Sequence, residues 1–248
     1  MTKNTTPRIL VVDDEPDTCA NLSDILSEQG YQVDVAHDGL VALELVKANK
    51  YDVALLDLKM PGIDGLELYG RIRTLSADTV AIVVTAYASS TTASSVLGAG
   101  AWRILAKPVN LPQLLGFVGQ ALSQPLVLVV DDDQEMCDSL WELFRDRDYR
   151  VCLAHDIPQA QEQLQQRNFQ VVIVDMKLPS GDGIAVLDCV RQANPDARSI
   201  IITGFRGEME RRVQTALAGG ASAVCYKPFQ VDQLLKTVQK LYQEHEKE

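Results

Sequence analysis

The chain has 248 residues and a formal net charge of −11, shared almost equally between its halves (−5 over residues 1–123 and −6 over 124–248). No basic stripe offsets that charge, so direct binding to nucleic-acid phosphates is not expected. No apolar run approaches the ~20 residues of a membrane span, and Met1 to Pro7 is too polar for a secretory signal.

The predicted elements alternate. Apolar strand runs at Ile9–Val12, Tyr31–Ala36, Val53–Leu56, Val80–Val84 and Trp102–Leu105 are separated by helical patterns, of which Cys19, Leu22, Ile25 and Leu26, stopped by Gly30, is the first. After Ser123-Gln124-Pro125 the series begins again, with strand runs at Val127–Val130, Tyr149–Ala154, Val171–Val174, Ser199–Ile202 and Ser222–Cys225. Met136, Cys137, Leu140, Leu143 and Phe144 repeat the first helical face, and Leu234, Leu235, Val238, Leu241 and Tyr242 make an amphipathic terminal helix. Continuous Val/Ile/Leu runs mark strands covered on both faces, which implies parallel sheets. The expected fold is therefore α/β: two tandem (βα)5 doubly wound domains, residues 1–123 and 124–248, joined by a link too short for free tumbling. The five cysteines (Cys19, Cys137, Cys152, Cys189, Cys225) form no CxxC pair, and four lie within apolar patterns. Buried free thiols in a reducing cytoplasm are the expected reading.

The duplication carries a set of polar residues with it. Asp13-Asp14 closes the first strand run, and Asp57, Thr85 and Lys107-Pro108 follow at spacings of 44, 28 and 22. In the second half Asp131-Asp132 is followed by Asp175, Thr203 and Lys227-Pro228 at 44, 28 and 24. Each residue falls just after a strand, at the sheet edge where open parallel sheets gather their functional groups. Taken singly, a strand-end Asp is more often a helix cap, a Thr a strand former and a Lys-Pro a turn. Five together, twice, at fixed spacing, argue for a site. Three carboxylates facing one lysine call for a hard divalent cation, and an all-oxygen donor set favours Mg²⁺ over zinc. With a hydroxyl and a lysine beside it, the middle aspartate is the candidate nucleophile toward a phosphoryl group.

The motifs VVDDE (Val11–Glu15), LLDLKMPGIDG (Leu55–Gly65), VVTAY (Val83–Tyr87) and AKP (Ala106–Pro108) resemble those of response-regulator receiver domains, which have a CheY-like, flavodoxin-like fold. VVDDD (Val129–Asp133), IVDMKLPSGDG (Ile173–Gly183), IITGF (Ile201–Phe205) and YKP (Tyr226–Pro228) do so again. The resemblance implies that Asp57 and Asp175 accept phosphate from a histidine kinase or histidine phosphotransfer protein. It implies Mg²⁺ on Asp14 and Asp132 directly, on Asp13 and Asp131 through water, on Asp57 and Asp175, and on the backbone carbonyls of Lys59 and Lys177. Thr85 and Thr203 would close on the phosphoryl oxygen, Lys107 and Lys227 would hold it, and the bonds before Pro108 and Pro228 would be cis. Lys59 and Tyr87, with Lys177 and Phe205, would line the approach of hydrolytic water.

Two positions depart from the family pattern. Ile104 and Val224 stand where an aromatic switch residue is usual, and Arg103 replaces a frequent acid, beside Trp102, which reads as a half-buried strand residue or, as the alternative, an exposed anchor for a partner. His37, His155 and His245 read as surface residues. The expected function is cytoplasmic phosphorelay signalling through protein contacts, with stoichiometric phosphoacceptance, an unknown downstream protein and scope for pairing of two copies. Rival readings are one receiver serving as a dimerisation or adaptor module, or a piece of a longer hybrid regulator; the Met1 start and charged ending favour a complete chain. A haloacid-dehalogenase-type phosphatase fits worst, because its nucleophile lies in an early DxD motif and its paired acids come last.

Overall fold

The computed structural model describes residues 6–86, 90–179, 181–204 and 210–245. Contacts divide the chain into two compact units, parted between Gln124 and Pro125. In the first unit, β1 (Arg8–Val12), α1 (Pro16–Glu28), β2 (Gln32–Ala36), α2 (Gly39–Ala48), β3 (Val53–Asp57), α3 (Gly65–Leu75), β4 (Val80–Thr85), α4 (Ser90–Gly98), β5 (Arg103–Ala106) and α5 (Leu111–Ser123) alternate strictly. The strands lie parallel in the order β2-β1-β3-β4-β5.

Period-two alternation sorts this sheet's side chains to two buried faces. Ile9, Val11, Val53, Leu55, Ile82 and Val84 meet α1 and α5 through Cys19, Leu22, Leu26, Leu114 and Val118. Leu10, Val12, Ala54, Leu56, Ala81 and Val83 meet α2, α3 and α4 through Ala42, Leu43, Val46, Leu68, Ile72 and Val96. Aspartates cap α2 and α3: Asp38 accepts the Val41 N–H, and Asp64 accepts those of Leu66 and Glu67.

The second unit repeats the plan. Its elements are β6 (Leu126–Val130), α6 (Gln134–Arg145), β7 (Arg150–Ala154), α7 (Ile157–Gln166), β8 (Val171–Asp175), β9 (Lys177–Leu178), β10 (Gly181–Asp182), α8 (Ile184–Ala193), β11 (Arg198–Thr203), α9 (Glu210–Ala218), β12 (Ala223–Tyr226) and α10 (Val231–His245). The parallel order is β7-β6-β8-β11-β12. One feature goes beyond (βα)5: β9 and β10 pair antiparallel, Leu178 opposite Gly181. The first unit has Met60-Pro61-Gly62-Ile63-Asp64 where the second has Leu178-Pro179-Ser180-Gly181-Asp182, so the flexible glycine moves one position along. Gly62 and Gly181 both adopt positive φ (81° and 149°).

Among the described residues no helix is long and apolar enough to cross a membrane. Cys19, Cys137, Cys152 and Cys225 are buried and unbridged, and Cys189 is half-buried.

Candidate functional site

Each strand-end aspartate is held by the chain around it. Asp13 follows β1, and its N–H donates to the Ala36 carbonyl (3.2 Å), extending the β1–β2 ladder by one residue. Its Oδ1 accepts the Glu15 N–H at 3.0 Å. Asp57 ends β3, and its Oδ1 accepts the Lys59 N–H at 3.2 Å. Thr85 ends β4, and its carbonyl accepts the Lys107 N–H at 2.9 Å, which fixes the start of the lysine's backbone. Lys107 then reaches back across the sheet edge. Its Nζ lies 2.7 Å from Asp13 Oδ2 and 2.7 Å from Asp57 Oδ2.

The second unit reproduces this geometry. Asp131 Oδ1 accepts the Asp133 N–H (3.0 Å), Asp175 Oδ1 accepts the Lys177 N–H (3.0 Å), and Lys227 Nζ sits 2.7 and 2.6 Å from Asp131 and Asp175. The Lys107-Pro108 and Lys227-Pro228 bonds are cis.

The acid pairs split by burial. Asp13 and Asp131 are each 2% exposed, whereas Asp14 and Asp132 face solvent. Asp133, the third acid of the second run, is committed to capping α6 through the Met136 N–H. Thr85 and Thr203 are buried. Lys59 and Lys177 are exposed, while Tyr87 and Phe205 lie outside the described residues.

The electrostatics favour a charged lysine and an added cation. Burial pulls the Lys107 and Lys227 ammonium groups down, but the hydrogen bonds to their aspartates outweigh it and raise both above the ordinary lysine value. Burial pushes the Asp131 carboxyl up, against the pull of Lys227 and the Asp133 N–H. Carboxylate oxygens of Asp13, Asp14 and Asp57 lie within 4.8 Å of one another, as do those of Asp131, Asp132 and Asp175. At that spacing each like-charge pair costs about 3 kcal/mol or more at an effective dielectric of ~20. One ammonium against three carboxylates leaves net negative charge, and the donors are all hard oxygens. The residues present fit Mg²⁺.

Three contributors were not legible in the sequence. Gly65 opens α3 and Gly183 caps α8, each hard against the strand that ends in an aspartate: an added Cβ would lie 2.1 Å from the Asp57 carbonyl oxygen and 2.3 Å from that of Asp175. The repeated Asp-Gly pairs were the available signal. His155 corrects the surface reading: it is half-buried, with Nδ1 3.1 Å from the Asp131 carbonyl oxygen and 3.8 Å from Cys137 Sγ. Its counterpart His37 is exposed, as expected. Trp102 is half-buried, edge-on to Phe117 (6.1 Å), with the Arg103 guanidinium 4.1 Å over its ring. Ile104 and Val224 pack against the cores.

Known proteins resemble the chain. The model of the response regulator receiver domain matches residues 9–118 and again 127–239. A response regulator receiver protein of Anaeromyxobacter sp. is 30% identical over 237 residues, 96% of each chain. The response regulator MprA of Mycobacterium ulcerans is 37% identical over 139 residues, 56% of this chain and 58% of its own. Among solved structures, the response regulator TrrA of Thermotoga maritima, in complex with Mg(2+)-BeF, is 38% identical and covers 47% of this chain and 99% of its own, with a TM-score of 0.43.

Proposed function

Because the chain belongs to the response-regulator receiver family, in two tandem copies, we propose that each copy, bounded at residues 1–123 and 124–248, is a working phosphoacceptor. Receiver domains act in phosphorelay signalling with histidine kinases or phosphotransfer proteins, generally as phosphoacceptors and not as enzymes, and they bind Mg²⁺ at an acidic pocket. The observation that carries the proposal is the lysine bridge: in both copies one ammonium touches the buried acid and the middle aspartate at once.

A carboxylate oxygen of Asp57 or Asp175 attacks the phosphorus of a partner's phosphohistidine. An O–P bond forms, the P–N bond breaks, and the imidazole leaves with its electron pair and takes up a proton. Lys107 or Lys227 stays charged throughout and meets the negative charge gathering on the phosphoryl oxygens. When bound to Asp13, Asp14 and Asp57 (or Asp131, Asp132 and Asp175) with the Lys59 or Lys177 carbonyl, Mg²⁺ supplies the remaining charge neutralisation. Thr85 and Thr203 turn toward the phosphoryl group afterwards. That movement is the switch, and it proceeds without an aromatic swing because Ile104 and Val224 have no ring. Lys59 with Tyr87, and Lys177 with Phe205, slow the attack of water on the acyl phosphate, so decay is slow. The setting is cytoplasmic, and output passes to a downstream protein.

Intact-mass measurement after incubation with acetyl phosphate and Mg²⁺ tests the proposal. The expected gain is up to two phosphoryl groups, one removed by Asp57→Ala, one by Asp175→Ala and both by chelation. A chain that gains no mass from any phosphodonor overturns it.

A further inference from the structure

The two units are the same fold built twice, so each is a control for the other. A surface that the fold requires should be similar in both. The outer face of α2 is not. Leu40 is 65% exposed and Val41 46% exposed, with half-buried Leu45 beside them. Together with Glu44, Lys47 and Arg71 they line an open groove of about 620 Å³. The corresponding positions of α7 are Pro158, Gln159 and Gln163, with Gln165 and Gln166 replacing Lys47 and Ala48. α7 folds with that polar face, burying Ala160 and Leu164 much as α2 buries Ala42, Leu43 and Val46. The exposed apolar side chains of α2 therefore serve something other than folding, and they cost solubility unless covered.

The charge pattern of the face identifies what covers it. Along α2 the outer face runs apolar at the N-terminal end (exposed Leu40 and Val41), then half-buried Leu45 with exposed Glu44, then exposed Lys47 and Ala48. Turned antiparallel about a two-fold axis at Leu45, this face complements itself. Leu45 meets its own copy, Val41 comes beside Ala48 and the aliphatic stem of Lys47, and Glu44 comes beside Lys47 of the opposite helix, twice. A parallel pairing sets Glu44 against Glu44 and Lys47 against Lys47. Within one chain Glu44 and Lys47 already lie 2.7 Å apart, one helical turn along the same stripe, so both charges are held on this face.

We propose that α2 of the first unit is a self-association surface, on which a second copy of this chain docks through an antiparallel α2–α2 contact. The proposal is independent of the phosphoryl chemistry, since none of its residues belongs to the acidic site.

The reciprocal charges allow a charge-swap test of the contact. The full-length chain is examined by sedimentation equilibrium at low and high salt, as wild type, Glu44→Lys, Lys47→Glu, and an equimolar mixture of the two variants. Wild type is expected to form a dimer that weakens with salt. Either reversal alone turns both attractions into repulsions and raises the dimer dissociation constant about tenfold or more. In the mixed dimer the two reversed side chains, one now basic and the other now acidic, face each other. The remaining contact pairs the native Lys47 of one variant with the native Glu44 of the other, so the mixture recovers to within about threefold of wild type. A second variant, Leu40→Gln/Val41→Gln, carries the polarity of α7 and weakens the dimer without changing any charge. Circular dichroism confirms that these surface variants fold. A wild-type chain that stays monomeric at hundreds of micromolar, or a dimer indifferent to the charge reversals, or a mixture no better than its components, overturns the proposal. Monomeric wild type would leave the groove to a helix from a different protein.

Discussion

The crowding around Gly65 makes a sharp prediction. Its N–H donates to the Leu58 carbonyl at 3.0 Å, so α3 begins pressed onto the loop that follows Asp57. A methyl group there meets only backbone: Asp57 O at 2.1 Å, Asp57 C at 2.9 Å and the Leu58 Cα at 3.0 Å. No flexible side chain can yield, so helix and strand end must separate by about 1 Å to restore ordinary contact. Overpacking of this kind costs about 1–3 kcal/mol, and with backbone on both sides Gly65→Ala should fall near the upper end, about 3 kcal/mol. For a unit of ~120 residues that is a drop of about 12 °C in the melting transition. A displacement of ~1 Å at Asp57 should also slow phosphoryl uptake by about 100-fold. Gly70→Ala is the control, because nothing lies within 4 Å of its added Cβ. In mid-helix it should stabilise by ~0.5–1 kcal/mol. Calorimetry and intact-mass phosphorylation read the two effects separately. If Gly65→Ala melts with Gly70→Ala and takes up phosphate at the parent rate, the close-contact argument is wrong. Gly183→Ala, with Asp175 O at 2.3 Å, should repeat the result in the second unit.

Other consequences follow from specific contacts. Lys107→Met leaves buried Asp13 facing Asp57 without the bridging ammonium; it should cost about 3 kcal/mol in chelator and markedly less in millimolar Mg²⁺, and equal losses in both would count against a cation site. At the opposite edge of the first sheet, Asp34 accepts from Arg8 Nε (2.6 Å) and Tyr51 Oη (2.9 Å). Asp34→Ala should cost about 2 kcal/mol, whereas Arg8→Leu/Asp34→Cys/Tyr51→Phe, which installs the residues found at Leu126, Cys152 and Phe169, should recover most of it; a triple variant no better than Asp34→Ala would refute this. Burial and the bond to Asp34 push Tyr51 from 10.0 to about 12. The unfolded chain then releases that proton first as pH rises, so the stability present below pH 10 is lost between 10 and 12. Alkaline urea melts should fall more steeply for the parent than for Tyr51→Phe, and parallel curves would show that this phenol does not carry the effect.

Much of this architecture is local information. The expected strand runs fall within a residue or two of the observed strands, because a run such as Val80–Val84 is apolar on both faces and can only be a covered central strand. Fixed spacing after those runs is enough to place Asp13, Asp57, Thr85 and Lys107 at one edge. The rest depends on residues far apart in sequence. The acids alone do not reveal that Lys107 bridges Asp13 to Asp57 across 94 and 50 positions, or that Asp13 is buried while Asp14 is not. The β9–β10 hairpin, the seat of His155 behind Asp131 and the replacement of the Arg8–Asp34–Tyr51 network by an apolar set in the second unit were equally hidden. Hydrophobic period and strand-end position are set by each residue and its near neighbours, so sequence alone determined the two α/β units and the make-up of their sites. Which charge meets which, which acid water reaches and which helix face stays bare depend on how distant segments pack, and only the tertiary structure decided them.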